Sequence, residues 1–291
     1  MMTFTLLFLT GLFAGTVDAI AGGGGLISLP VLLSLGMPPH IAFGTNKLQG
    51  TIGTFIATRR YYCHGLISLA HIYQGIIFGI VGSIFGAVTS QIMSSEILCM
   101  IIPILLCIIL LYTLFSPRLG LKDQKPRMHE NWFFLIFGLS LGFYDGFFGP
   151  ATGSFWVFLL TVLLGYNLIK ATAYTKVFNF NSSVIATICF AFGGNIDYRI
   201  ALCMAAGSLL GGRIGAALAI KKGAQVIRPI FLFVVSATII TLIYRNYSSA
   251  DAIRLFNQHS FVLNMIIAIT LLLSIVFIYI KKNKNRISDE L

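Results

Sequence analysis

The 291-residue sequence predicts an all-α polytopic membrane protein made of two inverted homologous halves. Each half is expected to hold three transmembrane helices and a glycine-broken re-entrant hairpin, and an extra helix is expected at the C-terminus. The apolar composition, an internal repeat and a one-sided distribution of basic residues favour this fold class. Hydrophobic residues make up 57% of the chain and charged residues 10%, against roughly 25% charged in a soluble domain. Too few polar side chains remain to cover a water-facing surface.

Apolar stretches divide the chain, and most are long enough to cross a ~30 Å hydrocarbon core, which takes about 20 helical residues. Their leucine, isoleucine and phenylalanine residues show no two-residue alternation, which favours helices over a β-barrel. The stretches cover residues 4–35, 41–58, 66–92, 97–116, 131–164, 168–191, 198–220, 228–244 and 261–280.

An internal repeat indicates two related halves. A shift of 127 residues aligns Asp18 with Asp145, and a shift of 129 aligns Lys47 with Lys176. Glycines also align, but glycine is common in membrane helices, so the charged pairs are the stronger evidence. The predicted parts are a first transmembrane repeat over 4–116, a basic cytoplasmic linker over 117–130, a second transmembrane repeat over 131–244, a C-terminal transmembrane helix over 261–280 and a basic cytoplasmic tail over 281–291.

The basic residues predict the topology. If every stretch crossed the bilayer once, nine basic residues would face one side and eight the other. If 4–35 and 131–164 each enter and leave on one side, the distribution becomes thirteen against three. The positive-inside rule then assigns the basic side, with the C-terminus, to the cytoplasm. Each half keeps three crossings, and this odd number makes the halves inverted copies, as in many secondary transporters.

Glycine-rich breaks explain the re-entrant hairpins. Residues 22–25 interrupt the first stretch and residues 149–153 interrupt the fifth, and glycine runs and proline both end helices. A new helix is predicted to start after each break, near Leu26 and near Ser154. A helix start offers unpaired N–H groups and a positive dipole end, which favour an anion. A simple kinked helix is the alternative interpretation.

Two lysines lie inside predicted helices. Lys47 is about six residues and Lys176 about eight residues from its helix start, which is a depth of roughly 9–12 Å. A charge inside a span costs about 2.5–3.5 kcal/mol on insertion scales, so a functional role is the default interpretation, with snorkelling to the headgroups as the alternative. Their polar neighbours recur at helical spacing and predict faces that line a wet cavity. These neighbours are Thr51, Thr54 and Thr58 in the first half, and Asn179 and Ser183 in the second.

Other charged residues allow several roles. Asp18 and Asp145 each precede a glycine break by four residues. They either pair with the lysines, carry a coupling proton or accept hydrogen bonds from the hairpin backbone. Arg213 has no counterpart in the first half, and both a substrate contact and an ion pair stay open for it. Histidines and cysteines show no ligand spacing, so neither a metal nor a cofactor is expected.

Two motifs resemble the TauE/SafE family of sulfite exporters, also called TSUP anion permeases. Residues 11–15, Asp18, the glycine run and Thr45-Asn46-Lys47 resemble its first half. Residues 142–150 and 152–155 resemble its second half, closest to the YfcA-like branch of the bacterial inner membrane. The resemblance spans roughly residues 8–245. Ala151 departs from the family pattern, which has glycine there.

The resemblance implies a secondary transporter of sulfite, thiosulfate or organosulfonates across the cytoplasmic membrane, and not an enzyme. The lipid bilayer and a small anion are the expected partners, with a coupling proton and a homo-oligomer left open, and nucleic acid is not expected. A carrier that couples to protons or cations through Asp18 and Asp145, and a non-transporting membrane subunit, are the alternatives. The candidate substrate-binding residues are Gly22, Gly23, Gly24, Gly25, Asn46, Lys47, Gly149, Thr152, Gly153, Thr175, Lys176 and Asn179.

Overall fold

The computed structural model describes residues 2–68, 72–92 and 120–223, together with 225–227, 229–230 and 233. In these ranges every regular element is helical. The helices are α1 (Met2–Ala21), α2 (Gly25–Ser34), α3 (Pro39–Cys63), α4 (Tyr73–Ser90), α5 (Glu130–Phe133), α6 (Leu139–Phe147), α7 (Thr152–Val162), α8 (Leu168–Phe192) and α9 (Tyr198–Lys222). One π-helical turn, Phe134–Gly138, joins α5 to α6. The predicted helices at 97–116 and 261–280, and nearly all of 228–244, lie outside the described residues.

The observed helices follow the predicted apolar stretches and confirm a helical membrane fold. The first stretch divides into α1 and α2 at the glycine run, and the fifth divides at residues 148–151. The new helices begin at Gly25 and Thr152, within two residues of the predicted starts. By length and composition, three described helices could cross a membrane: Phe4–Ala21, Tyr73–Ser90 and Tyr198–Lys222. Helices α3 and α8 each have 25 residues, as α9 does, but they carry more polar side chains than the three apolar helices.

Small residues bring helices of different halves into close contact. Helix α1 packs on α9, and α4 packs on α6. A Cβ atom on Gly211 would overlap the carbonyl oxygen of Leu12, and one on Gly86 would overlap that of Phe143. Such close approach of backbones is the usual contact between membrane helices, where dispersion replaces the hydrophobic effect. The first helix of each half therefore packs against the last described helix of the other half.

Helices α3 and α8 meet in the centre and run antiparallel. Gly44 of α3 packs against Asn195, just beyond the end of α8. Farther along α3, the hydroxyls of Thr51 and Thr187 lie 3.0 Å apart, and still farther the rings of Phe55 and Phe180 lie 5.5 Å apart. Residue numbers thus rise along α3 while they fall along α8. These are the two helices that carry Lys47 and Lys176, and they correspond to each other in the sequence repeat.

Basic side chains collect at one end of the helices. Helix α9 starts beside the start of α3, where the Asp197 N–H donates to Thr45 Oγ1 at 3.0 Å, so both helices end on the same side. The antiparallel α8 begins on that side, and the linker before α5 bonds there through Arg127 N–H to Leu163 O at 2.7 Å. Arg199 lies at the opposite end. The basic residues at the shared end are Arg59, Arg60, Lys122, Lys125, Arg127, Lys170, Lys221 and Lys222.

Two glycines of α4 provide a matched test of this packing. We expect Gly86→Ala to destabilise the protein by about 1–3 kcal/mol, because its methyl group would overlap the α6 backbone. Gly79→Ala should be neutral or stabilising, since its Cβ would lie 3.6 Å from Asn181 Nδ2 and alanine is the better helix former. The measurement is the apparent unfolding temperature of the purified variants in detergent. Equal behaviour of the two variants would contradict the described contact between α4 and α6.

Candidate functional site

The two helix breaks, which the sequence places at corresponding positions, lie in direct contact. A Cβ atom on Gly22 would overlap the backbone of Gly153, and one on Gly153 would overlap Gly22. The Ser154 hydroxyl donates to the carbonyl oxygen of Ala21 at 3.1 Å across the same contact. Glycine is therefore required at both positions, because any side chain would separate the tips.

The second break also contains a strained residue. Ala151 has φ 65°, and it is the one non-glycine residue with positive φ in the described part of the chain. The left-handed conformation costs an L-residue roughly 1–2 kcal/mol, whereas glycine adopts it freely. A glycine, the residue that the family resemblance leads one to expect here, would adopt this conformation without strain. The Ala151 side chain is buried, so the tip holds its methyl group in place.

Two buried ion pairs connect the halves in a crossed arrangement. Lys47 Nζ lies 2.8 Å from Asp145 Oδ1, and Lys176 Nζ lies 3.1 Å from Asp18 Oδ2. The lysine side chains are 5% and 0% exposed. Each lysine thus pairs with the aspartate of the opposite half. Of the roles left open by the sequence, the structure shows the lysine pairing for both aspartates, and Asp18 also accepts the Gly24 N–H at 3.4 Å.

The lysines also neutralise the ends of the broken helices. Lys47 Nζ donates to the carbonyl oxygen of Asp145, and Lys176 Nζ donates to that of Asp18. Both carbonyls lie in the last turn before a break, where the helix dipole is negative, and the Asp18 carbonyl also accepts the Gly22 N–H at 2.8 Å. A lysine from one half therefore caps the broken helix of the other half.

The two pairs differ in how well the aspartate is satisfied. Asp145 accepts additional hydrogen bonds from Thr152 Oγ1 at 3.2 Å and from the Ser182 hydroxyl, and its side chain is 6% exposed. Among the described residues, Asp18 has only the long Gly24 bond besides its lysine, and its side chain is 20% exposed. The position that corresponds to Ser182 in the first half is Gly53, which has no hydroxyl. Asp18 is therefore the more accessible carboxylate.

A small polar cavity lies beside the first tip. Its volume is about 50 Å³, several times the roughly 10–15 Å³ that one water requires. The N–H groups of Gly23 and Gly25, at the start of α2, have no hydrogen-bond partner in the described structure. The Asn179 Oδ1 atom is likewise buried without one. The polar lining residues are Asp18, Asn46, Lys47, Gln49, Thr54, Asp145, Asn179, Ser183 and Ser208, with glycine backbone between them.

The structure separates the predicted site residues into groups. Those that line the cavity are Gly22, Gly24, Gly25, Asn46, Lys47, Gly149 and Asn179, with Asp18 and Asp145. Thr152, Gly153 and Lys176 lie directly behind them, bonded to Asp145, packed on Gly22 and paired with Asp18 respectively. Thr175 is buried, and no partner for its hydroxyl lies among the described residues. Gly23 belongs to the tip, between two lining glycines. Arg213 lies outside the cavity, exposed on α9.

Sequence reasoning missed three polar residues. Gln49 Nε2 donates to the Ser208 hydroxyl, which itself donates to Gly11 O at 2.9 Å, and Ser182 bonds Asp145. Helical spacing from Lys47 does not reach Gln49. The repeat alignment does not reveal Ser182 or Ser208 either, because each corresponds to a glycine in the first half.

Crossed pairing is testable by double substitution. We expect Lys47→Met to destabilise the protein by about 3–5 kcal/mol, because it leaves the Asp145 carboxylate buried without a cation. Adding Asp145→Asn should restore much of that loss, whereas adding Asp18→Asn, the matched control, should restore none. The measurement is the apparent unfolding temperature of the single and double variants. Rescue by Asp18→Asn alone would show that pairing occurs within the first half instead.

Comparison with known proteins identifies the family of the chain. The chain matches the family described as sulfite exporter TauE/SafE over residues 7–242. A probable membrane transporter protein, YfcA of Escherichia coli K12, is 40% identical over 242 residues, which are 83% of this chain and 90% of that protein. A probable membrane transporter protein of Haemophilus influenzae is 43% identical over 224 residues, 77% of this chain and 88% of its own length. No solved structure matches the chain significantly. The chain belongs to the TauE/SafE family of membrane transporters.

Proposed function

We propose that the protein is a secondary transporter of small sulfur-containing anions, such as sulfite, thiosulfate or an organosulfonate, across the bacterial cytoplasmic membrane. The observation that carries the proposal is the contact of two broken helices around a buried polar cavity that contains a lysine. The family description names sulfite export, which agrees with an anionic cargo. Binding at the tips, deep in the protein, is where transporters with broken helices hold their substrates.

We further propose that residues 4–116 and 131–244 are inverted repeats. Support comes from α3 and α8, which correspond in sequence and run antiparallel. The positions of its two ends support a re-entrant first hairpin, which enters and leaves the membrane on the same side. Cys203, near the start of α9, donates to Phe4 O at 3.3 Å, and α2 ends only a few residues before α3 begins. Since α3 and α9 begin side by side, both ends of the hairpin lie on one side. Alternating access then follows from rocking of one half against the other.

The basic end of the helices is proposed to face the cytoplasm. This end gathers the arginines at the end of α3, the lysines at the end of α9 and the basic linker. Excess lysine and arginine in short loops marks the cytoplasmic side of bacterial membrane proteins. The linker over 117–130 and the C-terminal tail over 281–291 are then cytoplasmic. Both ends of the first hairpin then face the opposite side of the membrane, and both ends of the second hairpin face the cytoplasm.

The anion is proposed to bind between Lys47 and the start of α2. The unpartnered N–H groups of Gly23 and Gly25 lie at the positive end of this helix, where anions are favoured. Asn46 lines the same space and is fixed by a hydrogen bond from Ser28. The Asn179 amide contributes from the second half. Main-chain and amide groups suit an oxyanion, which needs several donors around one small centre.

Charge balance indicates how transport is coupled. Two lysines face two aspartates, so the site is neutral before an anion enters. An added anion in this layer has to displace a carboxylate from its lysine or arrive with a positive charge. Asp18 is the less satisfied carboxylate, and protonating it releases Lys176. We therefore propose that the anion moves together with a proton carried on Asp18.

The crossed pairs also support a second candidate function. The groups that line the cavity directly include two carboxylates and one ammonium, since Lys176 lies behind Asp18. This arrangement would suit a proton or cation carrier that uses Asp18 and Asp145, with the lysines as internal counter-ions. Ion flux without any added anion would favour this second candidate.

Anion binding should depend on the two paired lysines. We expect Lys47→Met and Lys176→Met to weaken binding of sulfite, thiosulfate or sulfonates roughly tenfold or more, because a charge-assisted hydrogen bond contributes about 1.5–3 kcal/mol. The measurement is calorimetric titration of the purified protein. Lys170→Met is the matched control, since Lys170 also lies on α8 but stacks over the Tyr166 ring, away from the cavity. Unchanged affinity in both lysine variants would exclude this anion site.

Coupling should depend on Asp18 more than on Asp145. In proteoliposomes with an imposed pH gradient, we expect Asp18→Asn to abolish proton-driven anion accumulation while anion exchange continues, because the neutral amide cannot exchange a proton. Asp145→Asn should instead impair folding, since Asp145 anchors three other side chains. Intact pH-driven accumulation in Asp18→Asn would remove this aspartate from coupling. Anion flux by the isolated wild-type protein would exclude a non-transporting subunit.

A further inference from the structure

A second recess, lined by arginines and by apolar side chains, lies between α3 and α9 at the basic end of the helices. This arginine groove is a cleft of about 330 Å³, and none of its lining residues lines the central cavity. It is open to the outside of the protein. Its lining residues are Ile56, Arg59, Arg60, Cys63, His64, Leu209 and Arg213.

The arginine groove concentrates positive charge without a described counter-ion. Three arginines line it, and among the described residues none of them forms an ion pair with a carboxylate. The Nε atom of Arg60 is buried and has no hydrogen-bond partner there. The lining contains no acidic side chain. Guanidinium groups placed together in this way attract a multivalent oxyanion such as a phosphate, which they can bind in a bidentate manner.

Apolar side chains flank the arginine groove and point outward. Leu209, Leu210 and Ile214 are exposed on α9, and Phe55 is exposed on α3. Arg59 and Arg60 lie in the last two turns of α3, and Arg213 lies about one turn nearer the end of α9 than Leu209 and Leu210 do. The arginines therefore lie nearer the helix ends than these two leucines, and Ile214 lies beside Arg213. A phospholipid has the same order, with a charged headgroup above acyl chains. Basic recesses between transmembrane helices are a known way to bind anionic headgroups.

We propose that the arginine groove binds the phosphate headgroup of an anionic phospholipid, with its acyl chains along the exposed apolar face of α9. This site is distinct from the proposed anion pathway, and its existence does not depend on the transported substrate. It assigns a role to Arg213, for which sequence analysis left open a substrate contact or an ion pair. A bound lipid would supply the negative charge that the described residues around the groove lack.

Lipid retention by the purified full-length protein tests the proposal. The protein is equilibrated in neutral detergent with phosphatidylglycerol or phosphatidylcholine, and bound lipid is counted by native mass spectrometry. We expect selective retention of phosphatidylglycerol, weakened about fivefold for each arginine neutralised in Arg59→Gln and Arg213→Gln. Both side chains are exposed, so the variants should fold. The control is Lys221→Gln with Lys222→Gln, which removes two charges from the end of α9 outside the groove. Equal losses in control and groove variants would overturn a specific site.

The Cys63 thiol reports on occupancy of the same groove. It is exposed and free, and it lines the arginine groove. We expect phosphatidylglycerol to slow alkylation of this thiol several-fold more than phosphatidylcholine does. Alkylation is measured on the peptide that contains Cys63. The same alkylation is then measured with inorganic phosphate at equal concentration. Protection by inorganic phosphate equal to that by phosphatidylglycerol would identify a site for free anions and overturn the lipid proposal, as would no protection by either.

Discussion

Charge compensation between the halves is the constraint on which this structure depends. Among the described residues, two lysines and two aspartates lie in the interior of an apolar helical protein, and each of these charges would be strongly destabilising alone. The structure satisfies them by pairing each of the two buried lysines with the aspartate of the opposite half. The central helices α3 and α8 must therefore lie side by side, and the hairpin tips must reach the middle of the protein. The small residues between α1 and α9, and between α4 and α6, permit this approach.

The helix breaks leave carbonyl ends and an N–H end beside the site, and these ends differ in how they are satisfied. The carbonyl ends of α1 and α6 are each capped by a lysine, so their negative dipoles are neutralised. At the N–H end of α2, Asp18 accepts the Gly24 N–H at 3.4 Å, whereas the N–H groups of Gly23 and Gly25 have no partner among the described residues. The groups around the cavity that lack a hydrogen-bond partner are thus mostly N–H donors, although the charges of the two lysines and the two aspartates balance. For this reason an oxyanion can bind beside the electrically neutral set of two lysines and two aspartates, provided that a proton accompanies the anion.

Several features of the fold were predictable from local sequence. The glycine run and the proline–glycine break set the helix ends to within two residues, because these residues are poor helix formers whatever the tertiary context. The matching aspartates and lysines were recognisable as a set because charges are rare in such a chain. Their crossed pairing was not predictable, since spacing along one half carries no information about the other half. Ser182 and Ser208 escaped notice because each has a glycine as its counterpart in the first half, so the repeat alignment does not single them out.

The position of Arg213 shows a similar limit. The direction of a side chain depends on which neighbour packs on each face of its helix, and spacing along the sequence does not give this. Helix α9 uses its glycine face to contact α1 and α3, and this leaves Arg213 on the outer surface beside Arg59. Ala151 differs in that its position was flagged as unusual by the family pattern. The left-handed backbone that makes it unusual is visible only in three dimensions.

The exchange of partners between halves has a consequence for biogenesis. During synthesis the N-terminal half leaves the ribosome first, with Asp18 and Lys47 already inside its helices and their eventual partners not yet made. The charges of these two groups cannot be neutralised by those partners until the C-terminal half enters the membrane. Membrane insertion of the early helices and their compaction are therefore separate events, and the later helices complete a scaffold that the earlier ones cannot close by themselves.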